Sequence, residues 1–248
     1  MKIALAQIRP KLSPDNLGKH IEFIEKSSAD LVIFPELSMN GYKVKDALLE
    51  DAFEEDFFKK LNFSKDVVLG AAIKDNGKIY NSALYLGSGF YKRHDKVHLP
   101  TYGVFEEGRF FFAGKNFESF DTKFGKTVMF VCEDVFSGDA TQFVSKEKPD
   151  LIIVIAASPA REFKDGKLLI EEHWEAVLKN MAILSGGYVA FCNRVGFEDG
   201  LGFWGKSKII NPKGEIEKEA KYFDEDLVEC ELNHHLTFTQ KYFLRKES

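Results

Sequence analysis

The sequence has 248 residues, of which 44% are hydrophobic and 29% charged, and its formal net charge is −5. This balance is typical of a soluble globular protein, and the negative charge argues against a nucleic-acid partner, whose phosphates need a basic face. No apolar run approaches the roughly 20 residues of a membrane helix, so no membrane partner is expected. Three widely spaced cysteines without a CxxC pair favour a reducing, cytoplasmic location over a disulfide framework.

Short apolar runs rich in β-branched residues alternate with longer amphipathic stretches. The short runs predict strands, in chain order KIALAQI, DLVIF, DVVLGAAI, YNSALYLGSGFYKR, TVMFVC, DLIIVIAAS, YVAFCN, KSKIIN and DLVECEL. The third and fourth runs are expected to form a hairpin, because the KDNGK between them contains Asn-Gly, a strong turn signal. The fifth and sixth are apolar almost throughout, which is typical of strands covered on both faces.

Three longer stretches predict helices, namely NLGKHIEFIEKSS, SGDATQFVSKEK and KLLIEEHWEAVLKNMAILSG. The first would bury Leu17, Ile21 and Ile24 on one face. Ser137 is the expected N-cap of the second helix, and Gly186 is the expected end of the third. We therefore predict one α/β domain over residues 1–248, in which helices cover central strands and antiparallel hairpins make the sheets mixed.

Polar residues follow three of the predicted buried strands, namely Glu36, Cys132 and Ser158. Strand ends converge on one rim in α/β proteins, which makes them favoured places for chemistry. Each residue taken alone has an ordinary explanation, as a solvated glutamate, a core thiol or a turn serine. The segment KRHDKVHLPTYGVFEEGRFF, which carries Lys96, is too long and polar for a simple turn and is a candidate binding loop.

Together, Glu36, Lys96 and Cys132 meet the requirements of thiol catalysis. A thiol is mostly protonated at neutral pH and needs an adjacent base, which a buried carboxylate can supply. A lysine ammonium can offset the charge of that base and stabilise an oxyanion together with a backbone N–H. Glu133 and Asp134 follow the cysteine directly and would disfavour its thiolate if they faced it. They need not face it, because neighbouring strand residues point to opposite sides.

The segments FPELSMNGY, KVHLPTYGVFEEGRFF and VMFVCEDVF, in this order, resemble the nitrilase superfamily of carbon–nitrogen hydrolases. The segments AASPA, NRVGFEDGLGFWGKS and INPKGEI extend the resemblance over nearly the whole chain. This resemblance implies an α/β fold with the four layers of an α-β-β-α sandwich and mixed sheets. It also implies a homodimer or higher homo-oligomer in which two such sandwiches stack.

The same resemblance implies a Glu–Lys–Cys triad at Glu36, Lys96 and Cys132. A second glutamate after the lysine is often counted as a fourth member, and the match places it at Glu107, with Glu106 as the alternative. The family's chemistry requires no cofactor and no metal.

The mechanism implied by the resemblance is covalent. Cys132 attacks an amide or carbamoyl carbon while Glu36 removes its proton. Lys96 and the backbone N–H of Glu133 hold the oxyanion, ammonia or an amine leaves, and water activated by Glu36 releases the acid. The substrate partner is therefore expected to be a small-molecule amide.

Within this superfamily, LPTYGVFEE and CEDVF most resemble the glutaminase domains of glutamine-dependent NAD synthetases. The residues that help bind glutamine in those domains match Tyr102, Glu133 and Ser158. The basic residue that would meet a glutamine carboxylate stays open within SPAREFKDGK, between Arg161, Lys164 and Lys167.

Two departures from these relatives limit the substrate assignment. We expect a stand-alone domain, because no SGGxDS-type phosphate loop follows the predicted sandwich. The segment KNMAILSG also lacks the Arg-Ala-x-Glu-Asn pattern that is common in other branches. The substrate is thus left as an amide or carbamoyl compound.

Other kinds of site find less support. The histidines of HDKVH and NHH lack a third metal ligand nearby. WGKS lacks the glycine spacing of a phosphate loop, and no Gly-x-Ser-x-Gly is present. The predicted function is hydrolysis of a non-peptide C–N bond through a cysteine thioester. The open alternatives are an ammonia-supplying or non-hydrolytic binding subunit of a separate synthetase, and acyl transfer to an amine.

Overall fold

Two β-sheets occupy the centre of the molecule and carry helices on their outer faces. The computed structural model of the chain describes residues 1–42, 47–87, 89–103, 105–165, 167–198 and 200–246. Within these ranges, no helix combines the length and the apolar character needed to cross a membrane.

The strands follow one another in the order that the apolar runs predict, with several short additions. Their bounds are β1 (Lys2–Gln7), β2 (Leu31–Ile33), β3 (Phe53–Glu54), β4 (Asp66–Asp75), β5 (Lys78–Gly87), β6 (Phe90–Asp95), β7 (Ser119–Thr122), β8 (Gly125–Val131), β9 (Leu151–Ala156), β10 (Phe163–Lys164), β11 (Lys167–Leu168), β12 (Tyr188–Asn193), β13 (Val195–Glu198), β14 (Leu201–Trp204), β15 (Lys208–Ile210), β16 (Ile216–Glu219) and β17 (Asp226–Glu231).

The helices include the three that the sequence predicts. Their bounds are α1 (Leu17–Lys26), α2 (Leu48–Asp51), α3 (Glu55–Lys59), α4 (Glu107–Phe110), α5 (Gly138–Glu147), α6 (Leu169–Ser185) and α7 (His234–Lys246), with a 3₁₀ turn at Cys132–Phe136. The Ser137 hydroxyl accepts a hydrogen bond from the Ala140 amide and caps α5 as predicted. Gly186 ends α6 with a positive φ of 64°, which confirms the predicted stop.

Both large sheets have a parallel centre with antiparallel flanks. The first sheet has the order β17-β1-β2-β4-β5-β6, with β3 beside β4, and β1, β2 and β4 run parallel. The second has the order β16-β15-β12-β9-β8-β7, and β8, β9 and β12 run parallel. The predicted hairpin joins β4 and β5 at Asn76-Gly77, where both residues adopt positive φ.

Three apolar layers hold the sheets and helices together. Between the sheets, residues such as Ile33 from the first sheet and Ile153 from the second share one cluster. On the outer face of the first sheet, α1 contributes Phe23 and Ile24. On the outer face of the second sheet, α6 contributes Trp174 and other apolar residues. The predicted α-β-β-α sandwich with mixed sheets is therefore confirmed.

Two element predictions need correction. Ile21 is 39% exposed, whereas α1 buries His20, Phe23 and Ile24. His20 turns this face inward because its ring nitrogens hydrogen-bond to the Asn16 carbonyl and the Ser38 hydroxyl. The predicted strand YNSALYLGSGFYKR comprises two antiparallel strands, β5 and β6, and its Ser88 lies outside the described residues.

Candidate active site

Three strand ends supply the side chains at the centre of the site. Glu36 follows β2, Lys96 directly follows β6, and Cys132 directly follows β8. The loop that carries Glu36 crosses close above Gly70 of β4, where a Cβ atom would lie 2.7 Å from the Glu36 Cα. Glycine at this position therefore permits the loop to enter the space between the sheets.

The ammonium of Lys96 joins two carboxylates. Its Nζ donates to Oε1 of Glu36 at 2.8 Å and to Oε1 of Glu107 at 2.7 Å. Glu36 and Lys96 have no exposed side-chain surface, and Glu107 has almost none. Glu106, the alternative in the sequence, is exposed and pairs with Arg109. The geometry thus brings Glu107, not Glu106, to the lysine.

Further hydrogen bonds fix the orientation of both carboxylates. Asn81 Nδ2 donates to Oε1 of Glu36 at 2.7 Å, and the Ala157 amide donates to its Oε2 at 2.7 Å. The Tyr42 hydroxyl donates to Oε1 of Glu107 at 2.7 Å. The sequence reasoning did not identify Tyr42 or Asn81, although Tyr42 lies within the quoted segment FPELSMNGY.

The two carboxylates and the single ammonium at this centre shift one another's pKa values. Burial raises the pKa of Glu107 to about 7, and the Glu36 charge adds to this, while Lys96 and Tyr42 oppose it. Burial alone would lower the pKa of Lys96, but the charges of Glu107 and Glu36 outweigh it and hold that pKa well above its usual range. Lys96 therefore carries a charge throughout the neutral pH range.

Cys132 occupies a strained position at the end of β8. Its φ is +46°, in the left-handed region that non-glycine residues seldom adopt, and the 3₁₀ turn Cys132–Phe136 starts at this residue. Burial and then the Glu36 charge raise the pKa of the Cys132 thiol well above its usual range, although Lys96 opposes this effect. The resting thiol is consequently protonated at neutral pH.

The turn also corrects the expected directions of the two acids after the cysteine. Strand alternation does not apply to them, because β8 ends at Val131. Asp134 points away into the protein and is fully buried among backbone amides. Glu133 remains near the thiol and contributes to its raised pKa. Its Oε1 accepts a hydrogen bond of 2.8 Å from the hydroxyl of Tyr102, which is half exposed.

Ser158 lies at the end of β9 but is only 3% exposed. Its hydroxyl oxygen accepts hydrogen bonds from the indole N–H groups of Trp174, at 2.9 Å, and Trp204, at 3.2 Å. The chain contains no other tryptophan. The predicted binding serine therefore already serves as the shared acceptor for two buried rings.

The three basic candidates differ in their positions. The Arg161 guanidinium lies 5.1 Å from the ring centroid of Phe105, against which Tyr102 also packs. Arg161 Nε is buried and has no hydrogen-bond partner among the described residues. Lys164 is exposed on β10, and the side chain of Lys167 lies outside the described part of the chain. Arg161 is thus the candidate that stands beside Tyr102.

Two of the histidines considered as metal ligands, His94 and His98, contact carboxylates. His94 Nε2 lies 2.9 Å from Asp134 Oδ2, and His98 Nε2 lies 3.0 Å from Asp139 Oδ1. In the described ranges, one group of acids has ligand-like spacing, with oxygens within 4.8 Å of one another. The Lys208 ammonium contacts all three of its members, Glu171, Glu175 and Glu219. A cation of the protein itself therefore already contacts all three carboxylates of this group.

Comparison with known proteins agrees with the arrangement of these elements. The family model described as carbon-nitrogen hydrolase matches residues 2–241. The chain belongs to the carbon-nitrogen hydrolase family. This family member is 33% identical over 247 residues to the glutamine-dependent NAD(+) synthetase of Acinetobacter baylyi, a match that covers 94% of the chain and 44% of that relative. It is 30% identical to a nitrilase of Pyrococcus abyssi, with 95% and 91% covered.

Solved structures of the family show the same fold. The glutamine-dependent NAD+ synthetase of Acinetobacter baumannii superposes with a TM-score of 0.83 at 32% identity, over 95% of this carbon-nitrogen hydrolase and 46% of that chain. A carbon-nitrogen hydrolase from Helicobacter pylori gives a TM-score of 0.86 at 20% identity, with 98% and 92% covered. The chain thus spans less than half the length of the synthetases that it matches.

Proposed function

We propose that this carbon-nitrogen hydrolase cleaves an amide or carbamoyl C–N bond of a small molecule through a thioester on Cys132. The observation that carries this proposal is the buried Lys96 ammonium, which is shared by Glu36 and Glu107 and acts on the Cys132 thiol. A buried base, a fixed cation and a thiol at one strand rim are the groups that acyl transfer to sulfur requires.

The resting state determines the first step. Because the thiol is protonated, Glu36 takes the Sγ proton as sulfur forms its bond to the substrate carbon. Lys96 and the backbone N–H of Glu133 then stabilise the oxyanion. When the C–N bond breaks, the proton passes from Glu36 to the leaving nitrogen, which departs as ammonia or an amine.

The second half of the reaction regenerates the thiol. Glu36 takes a proton from water as the hydroxyl oxygen attacks the thioester carbon. The C–S bond breaks, the proton returns to Sγ, and the carboxylic acid is released. Glu107 maintains the charge and position of Lys96 through both halves and is not consumed in either.

The charged groups beside Tyr102 favour a substrate that carries both charges of an amino acid. The Arg161 guanidinium suits a carboxylate, since its donors match two oxygens. The Glu133 carboxylate, oriented by Tyr102, suits an α-ammonium group. An amino-acid amide such as glutamine carries both charges at the opposite end of a short chain from its amide carbon. We therefore propose glutamine-like ω-amides as the substrate class.

A second candidate function is ammonia supply to a separate synthetase. Its support is the similarity to glutamine-dependent NAD(+) synthetases, which this chain matches over less than half of their length. Both functions share the hydrolytic step, so they differ only in where the ammonia goes. If the isolated protein releases ammonia without a synthetase present, the first function is favoured, in which hydrolysis serves to form the acid.

The test is ammonia release combined with intact mass. The panel of candidate substrates comprises glutamine, asparagine, ω-amides of 2-oxo acids, N-carbamoyl amino acids and N-carbamoyl amines. At least one should release ammonia and add its acyl mass to the protein during turnover. Cys132→Ala should abolish both signals, whereas Cys230→Ala, which alters a thiol on β17, should leave them unchanged. Full activity in Cys132→Ala would disprove the assignment.

A further inference from the structure

We propose that Asp134 is a positioning residue that fastens the segment carrying Lys96 to the turn carrying Cys132, with His94 as its buried partner. This inference rests on the proposed function and deepens it, because it identifies how the two groups are held in register. The residue itself does not touch the reacting atoms.

The contacts of one carboxylate carry the proposal. Oδ1 of Asp134 accepts the backbone N–H groups of Val97 and His98, each at 2.9 Å, immediately after Lys96. Oδ2 accepts the backbone N–H of Val131 at 3.0 Å, immediately before Cys132, and contacts His94 Nε2 at 2.9 Å. The carboxylate therefore bonds the chain on both sides of Lys96 and directly before Cys132.

The site needs such a connection because its parts belong to different sheets. Lys96 follows β6 of the first sheet, whereas Cys132 follows β8 of the second. Packing between sheets is not directional, while acyl transfer requires the nucleophile and the oxyanion donor within a few tenths of an ångström of their places. Four directional hydrogen bonds to a fully buried carboxylate supply that precision.

The backbone conformation of Cys132 is a second reason why the site needs this connection. A positive φ in a non-glycine residue persists only where the surroundings impose it. Asp134 lies within the same 3₁₀ turn, and its bond to the Val131 amide closes that turn across the cysteine. Loss of this bond would let the backbone relax toward a common conformation and move Sγ.

Helix capping accounts for only one of these contacts. The bond to the Val131 amide caps the 3₁₀ turn, whereas the other three contacts reach the segment that carries Lys96. The helix that follows the turn, α5, begins at Gly138 and is capped by the hydroxyl of Ser137. The ring of His94 packs near those of Phe117 and Phe130. The Asp134 side chain is thus directed at the lysine segment and the cysteine turn alone.

The experiment compares four variants. Asp134→Asn removes the charge and replaces one acceptor by an NH₂ group, which cannot accept from the Val131 amide or His94. His94→Phe keeps a flat ring but removes the donor, whereas His94→Gln keeps a donor. Asp150→Asn is the matched control, because the Asp150 carboxylate also accepts a backbone amide, that of Lys126, and pairs with the Lys241 ammonium, away from the thiol.

Two readouts are measured on each variant. Steady-state kinetics with the amide that is turned over gives kcat and KM. Alkylation by iodoacetamide across pH, followed by intact mass, gives the titration midpoint of Cys132 and the number of cysteines that react. Alkylation needs no substrate, so it tests the positioning role even if the amide panel fails and the proposed function falls. The charged groups that act on the thiol in this titration are Glu36, Lys96, Glu107 and Glu133.

For Asp134→Asn we expect kcat to fall about 100-fold while KM stays within about twofold. The alkylation midpoint should move to lower pH with a single cysteine labelled, because the partly buried thiol becomes more exposed while the protein stays folded. His94→Phe should show a smaller loss of about tenfold, His94→Gln should recover most of it, and Asp150→Asn should keep the wild-type kcat and midpoint.

Several outcomes would overturn the proposal. One is an Asp134→Asn protein with wild-type kcat and midpoint. Another is a fractional loss of kcat that equals the fraction of molecules labelled at all three cysteines. In that case unfolding alone would explain the lost activity. If Asp134→Asn does not fold, the two His94 variants provide the test. Wild-type kcat and alkylation midpoint in both His94→Phe and His94→Gln would contradict the positioning role.

Discussion

The ammonium of Lys96 lies 2.8 Å from Oε1 of Glu36, and neither side chain is exposed to solvent. A buried ion pair of this kind gains little by its mere presence, but removing one partner leaves an uncompensated charge. Because Glu107 shares the same ammonium, the loss of Lys96 would leave two adjacent carboxylates without a cation. We therefore expect the lysine to be required for the integrity of the site as well as for the proposed chemistry.

Replacing Lys96 by Met should destabilise the fold by about 3–5 kcal/mol and abolish turnover. Urea denaturation measures the first effect. Adding Glu107→Gln to Lys96→Met should recover part of the lost stability, because one buried charge is then absent, without restoring activity. Lys208→Met is the matched control, since Lys208 is also buried among carboxylates, and it should lower stability but not turnover per folded molecule. An unchanged unfolding free energy in Lys96→Met would contradict this expectation.

The raised pKa of Glu107 makes stability depend on pH. The folded-state pKa is about 7, above the ordinary value of 4.5, so the folded protein binds the extra proton between these limits. Its contribution is complete below about pH 4.5 and decreases as pH rises through 7. As pH rises from about 5 to about 8, the free energy of unfolding should therefore fall less in Glu107→Gln than in the wild type. Urea titrations at several pH values measure this difference. Parallel curves of unfolding free energy against pH for the two proteins would refute the raised pKa of Glu107.

Tyr42→Phe should shift the acidic limb of the pH–rate profile to higher pH. The Tyr42 hydroxyl donates to Glu107 and thereby lowers its pKa, so removal of the hydroxyl raises that pKa further. We expect activity to require ionised Glu107, which holds the ammonium of Lys96. The control is Tyr85→Phe, which removes a buried tyrosine–carboxylate hydrogen bond to Asp66 elsewhere. A shift to lower pH, or an equal shift in the control, would argue against the role.

Ser158→Ala should change the tryptophan fluorescence of the whole protein. Both indole N–H groups lose their shared acceptor, so the emission maximum should move and stability should fall by about 1–3 kcal/mol. Steady-state emission spectra and urea titration measure these effects. Ser185→Ala, which removes a buried hydroxyl bonded to backbone groups at the end of α6, should leave the spectrum unchanged. An unaltered spectrum in Ser158→Ala would rule out the shared acceptor.

The sequence predicts the layers well because hydrophobic periodicity determines which faces are buried. Asn76-Gly77 is a clear example, since a two-residue turn with both φ values positive needs those residue types. Ile21 is the opposite case. Its spacing fits a helical stripe, but the stripe is centred on His20, whose burial depends on hydrogen bonds to Asn16 and Ser38 that no local pattern reveals.

At the site, the sequence supplies the reactive groups but not those that orient them. Glu36, Lys96 and Cys132 come together because their motifs follow strand ends, and Glu107, the first residue of α4, joins them through its bond to Lys96. Asn81 lies inside β5, where a polar residue carries no signal of its contact with Glu36. The directions of Glu133 and Asp134 depend on where β8 ends, and strand boundaries are the least certain feature of a sequence-based prediction.

Strand β1 pairs along its whole length with β17, so Lys2–Gln7 meets Asp226–Glu231. During translation, β1 leaves the ribosome long before its antiparallel neighbour is made. One edge of the first sheet must therefore wait, unpaired, until nearly all of this sequence has emerged. Every charged group that acts on the Cys132 thiol is therefore synthesised before the strand that completes this sheet.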